Sequence, residues 1–147
     1  MKGGFDLVGW TDSNWAQDPD DHRSTSRFAF DVGGGVISWS SKKQPTIATL
    51  SVEAEYIASA NATKKAATII YADNQGSITL AHNPVSYSRA QHIDIWHHFI
   101  REHIERGEVS LDYVSTKEMM ADIFTKALPH ESFEKFWTNL GVLHAIW

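Results

Sequence analysis

Thr68-Ile69-Ile70-Tyr71-Ala72 is a continuous apolar run of strand length that stops at Asp73. A run apolar at every position reads as a strand buried inside a sheet. Before it, Ser51 to Ala66 is Ala-rich and favours helix, with Ser51 as the expected N-cap. After it, Gln75 to His82 reads as a short helix, broken by Asn83-Pro84. A buried strand between helices calls for crossover connections, and so for an α/β domain.

The first third of the chain has a different character. Phe5 to Thr11 is rich in β-formers and reads as a strand ending near Asp12, and Asp18 to Arg23 is a polar loop. Phe28 to Val32 and Val36 to Ser40 flank Gly33-Gly34-Gly35, the pattern of a hairpin whose turn needs positive φ. Ser41 to Leu50 is expected to continue as extended chain. Further on, Ile93, Trp96, His97, Ile100 and Ile104 fall at helical spacing between Ala90 and Arg106, with Gly107 as the stop. Val109 to Val114 alternates as a strand; Lys117 to Leu128 and Glu131 to Leu140 read as two closing helices. The expected architecture is a mixed central sheet flanked by helices, its first strands antiparallel and its later ones joined by helical crossovers.

Composition narrows the function. The 147 residues include no cysteine, which excludes thiolate zinc sites, thiol nucleophiles and disulfides and fits a reducing compartment. No apolar run approaches bilayer length and no charged-then-apolar leader opens the chain, so no membrane partner is expected. A net charge of −5 argues against holding nucleic acid by bulk electrostatics, but not against handling it through metal ions bound by carboxylates.

Two-metal phosphodiester hydrolysis needs several carboxylates converging from rigid elements, because two nearby dications repel unless anions surround them. Asp12 and Asp73 each follow an apolar strand, Glu55 sits on the Ala-rich helix, and Asp122 on a late helix. Taken singly, each has a plainer reading: a turn residue, a helix cap or a solvated helix face.

The strings quoted next change that weighting. They are Trp10-Thr11-Asp12-Ser13-Asn14-Trp15-Ala16, Ser24-Thr25-Ser26, Ile37-Ser38-Trp39-Ser40-Ser41-Lys42-Lys43-Gln44-Pro45-Thr46 and Glu53-Ala54-Glu55-Tyr56-Ile57-Ala58. Then come Asp73-Asn74-Gln75, His92-Ile93-Asp94-Ile95, His98-Phe99-Ile100-Arg101-Glu102 and Ala121-Asp122-Ile123-Phe124-Thr125-Lys126. In this order, from Phe5 to about Leu140, they resemble the ribonuclease H domain of copia-type LTR-retrotransposon Pol polyproteins.

The resemblance implies a ribonuclease H-like fold over residues 1–147 as a single domain. It also implies an endonuclease that hydrolyses the RNA strand of RNA–DNA hybrids during reverse transcription. It further implies two Mg2+ ions, with Mn2+ as a substitute, and a reverse transcriptase domain of the parent polyprotein as partner. An intracellular setting, a cytoplasmic retroelement particle, goes with it. The family's carboxylate motif falls on Asp12, Glu55, Asp73 and Asp122. Glu53 competes with Glu55, but two residues are about 200° apart around a helix, so both cannot face one metal. Lys42, Lys43, Asn74, Gln75 and His92 are the expected substrate contacts, with Ser40, Ser41 and Gln44 beside the lysine pair.

This chain also departs from the family pattern. Glu55 and Asp73 are only 18 residues apart. Either the helix has lost its later turns, or a stretch near 61–70 has been closed up in the numbering. Arg27 stands where the family prefers Gly, Gln91 where it prefers Lys, and Ala127 where it prefers Pro. His92, His97, His98 and His103 invite a zinc reading, but there is no HExxH string, and packing is the plainer role. Trp15, Trp39 and Trp137 read as core aromatics. Two other classes compete with the nuclease: a non-cleaving binding module on the same fold, and an integrase-like strand-transfer domain, against which the string set argues.

Overall fold

The computed structural model describes residues 6–83, 91–124 and 126–141, with only the backbone described for 91–94. Among the described residues, five strands form one sheet in the order β3-β2-β1-β4-β5. β1 (Leu7–Asn14), β2 (Thr25–Val32) and β3 (Gly35–Lys43) form an antiparallel meander. Gly33 and Gly34, at φ 61° and 82°, make the β2–β3 turn in backbone space that a Cβ disfavours. β4 (Ile69–Ala72) lies parallel to β1, and β5 (Ser110–Tyr113) parallel to β4.

The parallel pairs need crossovers, and helices supply them. α1 (Ser51–Thr63) leads into β4; α2 (Gln75–His82) and α3 (Gln91–Glu105) lie between β4 and β5. α1 packs on β1, β2 and α3, closing a core of Phe28, Phe30, Tyr56, Ile70, Ile100 and Leu111. Ile70 is fully buried there, so truncating it to Ala would cost about 2–5 kcal/mol. Gly9 lets this core close over β1, because a Cβ would sit 2.8 Å from the Phe30 ring and 3.1 Å from Ile70. The next residue, Trp10, points to the opposite face, as strand alternation requires. There it joins a second cluster built on Met120, Phe136 and Leu140 under α4 (His130–Asn139).

Several local expectations are corrected. Ser51 is not the N-cap: Leu50 holds that position with no side-chain cap. Glu53 does the work instead, its Oε2 accepting from the Thr49 amide at 2.7 Å and the Thr49 hydroxyl at 2.9 Å. The extended chain after Ser41 ends at Lys43. Among the described residues of Lys117 to Leu128 there is no α-helix but two 3-10 turns, Thr116–Glu118 and Met120–Phe124. Met119 separates them at φ −70°, ψ 99°, a conformation that breaks the helix while burying its side chain completely. Trp15 and Trp39 are exposed at 50% and 61% rather than core; Trp39 instead stacks on Phe124 at 5.5 Å. Between Glu55 and Asp73, α1 ends at Thr63, Lys64 and Lys65 donate back to Ala60 and Ala62, and the chain enters β4 at Ile69. Among the described residues no helix is long and apolar enough to cross a membrane.

Candidate active site

The parallel register of β1 and β4 pairs Thr11 with Ala72. Asp12 and Asp73 each come next, so both carboxylates emerge at the same end of neighbouring strands. α1 crosses this end, and Glu55 reaches down to accept a hydrogen bond from the Ser13 amide at 3.2 Å. One ligand oxygen from each of Asp12, Glu55 and Asp73 lies within 4.8 Å of the others, the one such group of three among the described residues. Asp12 is 2% exposed and Glu55 7%.

Their chemistry follows from that burial. Asp12 is pushed up to about 7, first by loss of water, with Asp122 and Asp73 adding to the rise and Lys126 and Arg27 opposing it. Glu55 is pushed up to about 8, again chiefly by burial, with repulsion from Asp12 and Asp73 adding to it. Asp12 Oδ2 and Glu55 Oε2 are buried with no hydrogen-bond partner. Unpaired carboxyl oxygens are costly inside a protein unless a proton or a cation meets them. Hard divalent cations take oxygen ligands, so this trio fits such an ion.

Asp122 reaches the same place from the second 3-10 turn, 3% exposed. It is tied to the trio through Lys126, whose Nζ lies 2.7 Å from Asp122 Oδ1 and 3.7 Å from Asp12 Oδ1. The rival glutamate, Glu53, turns away to Thr49.

The expected substrate contacts divide. Lys42 and Lys43 line a cleft of about 500 Å³ together with Lys64, Lys65, Asn61 and Trp96. Lys43 is engaged by Asp18 and by Asp21 at 3.2 Å, and Lys64 sits over the Trp96 ring at 3.9 Å. Asn74 caps α2, its Oδ1 accepting from the Ser77 amide at 2.9 Å, while Gln75 is exposed beside it. Gln44 is buried, its amide spent on Ser26 and the Ala54 carbonyl, so it is a structural residue rather than a phosphate contact. The side chain of His92 lies outside the described residues. His97 stacks on Tyr56, and His103 pairs with Glu108 at 2.5 Å, which is packing and surface pairing rather than a zinc centre.

Four residues of the site were not anticipated as parts of it. Arg27, paired with Asp12 across the strands, is buried with Nη1 3.9 Å from Asp12 Oδ2. Ser13 holds Glu55 by its amide, and the Thr116 hydroxyl holds Asp73 Oδ2 at 2.9 Å. Lys126 is the fourth. Its spacing of four from Asp122 was a readable signal, as was the oddity of a cation at Arg27.

Comparisons with known proteins agree with this architecture. No family model matches the chain. It is 38% identical over 152 residues to the Retrovirus-related Pol polyprotein from transposon RE1 of Arabidopsis thaliana, covering 92% of this chain and 10% of that one. The corresponding polyprotein from transposon TNT 1-94 of Nicotiana tabacum is 35% identical over 149 residues, 90% of this chain and 11% of that one. The chain thus spans about a tenth of the length of these relatives. Among solved structures, the N-terminal RNase H domain of rv2228c from Mycobacterium tuberculosis superposes with TM-score 0.61 at 9% identity, over 92% of this chain and 98% of that one.

Proposed function

The chain is a homologue of the Pol polyproteins of copia-type transposons and carries the ribonuclease H fold, and from that premise we propose that it is a metal-dependent ribonuclease acting on RNA–DNA hybrids. The observation that carries this reading is the buried trio Asp12, Glu55 and Asp73, with ligand oxygens within 4.8 Å and two of those carboxylates holding orphaned atoms. Magnesium ions, when bound, would supply an activated water and charge neutralisation at the scissile phosphate. The protein's own part is to hold the acids ready. Ser13 and Thr116 orient Glu55 and Asp73, and burial on the sheet keeps Asp12 fixed. Asp122, brought in by the 3-10 turn, completes the acidic set.

The Lys42, Lys64 and Lys65 side of the basic cleft supports phosphate contact with the nucleic acid. The similarity to Pol polyproteins supports a reverse transcriptase domain of a parent polyprotein as partner, and an intracellular retroelement particle as the setting. The test is cleavage of labelled RNA–DNA hybrid, duplex RNA and duplex DNA, with magnesium or with EDTA. Hybrid-selective, magnesium-dependent cutting that Asp73→Asn abolishes supports the reading. A folded, metal-binding chain that cuts none of the three would make it a non-cleaving module instead.

A further inference from the structure

Asp12 is shared between two unequal arrangements. On one side it joins Glu55 and Asp73 in the trio open to a divalent cation. On the other its Oδ1 and Asp122 Oδ1 are bridged by the Lys126 ammonium, 3.7 Å from the first and 2.7 Å from the second. The shorter distance is that of a charge-assisted hydrogen bond. The ammonium therefore stands where a cation joining Asp12 to Asp122 would stand.

The two cations of the site differ in freedom. The Arg27 side chain is 8% exposed and locked in the sheet, so its charge is a permanent part of the floor. The Lys126 side chain is 36% exposed, while the acids it touches are 2% and 5% exposed. Its backbone amide donates to the Asp122 carbonyl at 3.0 Å, so the local turn delivers the ammonium to Asp122. A four-carbon stem with its outer end in solvent can withdraw by rotamer changes alone.

We propose that Lys126 is a tethered occupant of the second cation position: one divalent ion binds at Asp12, Glu55 and Asp73 with the ammonium in place, and a second binds only as the ammonium leaves Asp12 and Asp122. This rests on the metal-dependent reading of the site. Its consequence is sequential loading, with the second ion weaker because it must displace an existing charge pair. Lys126 is thereby a positioning residue that keeps the Asp12–Asp122 pair compensated until that ion arrives.

The experiment is a Mn2+ titration of the full 147-residue chain, with free Mn2+ followed by electron paramagnetic resonance. The proteins are wild type, Lys126→Met, Lys126→Gln and Lys126→Arg. Wild type should bind one ion tightly and a second about tenfold or more weaker, the scale of one partly buried charge interaction. Lys126→Met and Lys126→Gln should tighten the second step about tenfold and leave the first within about twofold, while Lys126→Arg keeps the wild-type pattern. An unchanged isotherm, or a weakened second step, in whichever neutral variant folds would overturn the proposal while leaving the metal site standing. No Mn2+ bound by any of the proteins would overturn this inference and the metal-dependent reading together.

Discussion

The Thr116 hydroxyl donates to Asp73 Oδ2 across 2.9 Å, tying the turn after β5 to the end of β4. Asp73 lies only half-buried at a strand end, so this bond and the backbone are what limit its rotamers. Thr116→Val keeps the shape and removes the donor. The expected result is an unchanged fold and a Mg2+ requirement raised about threefold to tenfold, the net value of one ordinary solvent-exposed hydrogen bond. The check is the Mg2+ midpoint of hybrid cleavage beside that of the thermal shift. Equal midpoints in variant and wild type would remove Thr116 from the site.

Asp73→Asn is the sharper substitution. The amide is nearly isosteric but has no negative charge, so thermal melting in EDTA should stay close to wild type. The rise in Tm on adding magnesium, which reports binding to the folded arrangement alone, should vanish, and cleavage should fall at least about a hundredfold. Retention of both by the variant would show that Asp73 is not a ligand.

The two glutamates of α1 should separate into different phenotypes. Glu53 receives both the amide and the hydroxyl of Thr49 at the start of the helix, so Glu53→Gln weakens a cap and costs about 1 kcal/mol with metal binding intact. Glu55→Gln removes a group whose ionisation is opposed by burial and by Asp12 and Asp73. It should leave the metal-free protein at least as stable as wild type while abolishing the tight metal step. Denaturant melts with and without magnesium distinguish these outcomes, and a reversal of the two phenotypes would exchange the roles.

How much of this could be read from the chain depends on the range of the interaction. Asp12 and Asp73 stand out because each ends an apolar run, and strand ends are local features. Their adjacency rests on the Thr11–Ala72 register, a parallel pairing across 61 residues that no local pattern encodes. Helical angle alone says that Glu53 and Glu55 cannot both face one metal; the choice of Glu55 comes from the resemblance, because a helix fixes the angle between two side chains and not which of them meets the sheet. The 3-10 turns were not legible. Lys117 to Leu128 contains neither Gly nor Pro, and the helix is broken by the burial of Met119, a tertiary effect. With the turns went the position of Lys126. Trp39 was misread for a related reason: aromatic residues suit strands generally, but β3 is the sheet edge, and Trp39 stacks on Phe124 with most of its surface in solvent.

pH should act through Asp12 and Glu55. An unfolded chain ionises its carboxyls near 4, whereas burial and mutual repulsion raise these two to about 7 and about 8 in the folded protein. Between those limits the folded state holds protons that the unfolded state has released. The stability contributed by the pair is therefore full below about pH 4 and is lost as pH rises through their folded values. A divalent ion needs both groups ionised, so its affinity runs the other way. The magnesium-induced rise in Tm should be small near pH 5.5 and large by about pH 8.5, with Glu55→Gln flattening the EDTA curve. A magnesium shift independent of pH would contradict these assignments.

Salt should test the basic cleft. Lys42, Lys43, Lys64 and Lys65 gather on it although the chain as a whole carries −5. Lys43 is already paired with Asp18 and Asp21, which leaves Lys42, Lys64 and Lys65 to displace counterions from a nucleic-acid backbone. Three contacts give a slope of log affinity against log salt of about −3 at most, and weak binding of hybrid by this chain alone. Lys65→Ala should reduce that slope by about one and weaken duplexes of different sequence equally, since phosphate contacts carry no sequence information. The measurement is hybrid binding by fluorescence anisotropy across a salt series. A slope near that of a protein making six or more phosphate contacts, or no change on removing Lys65, would place the nucleic acid on a different surface.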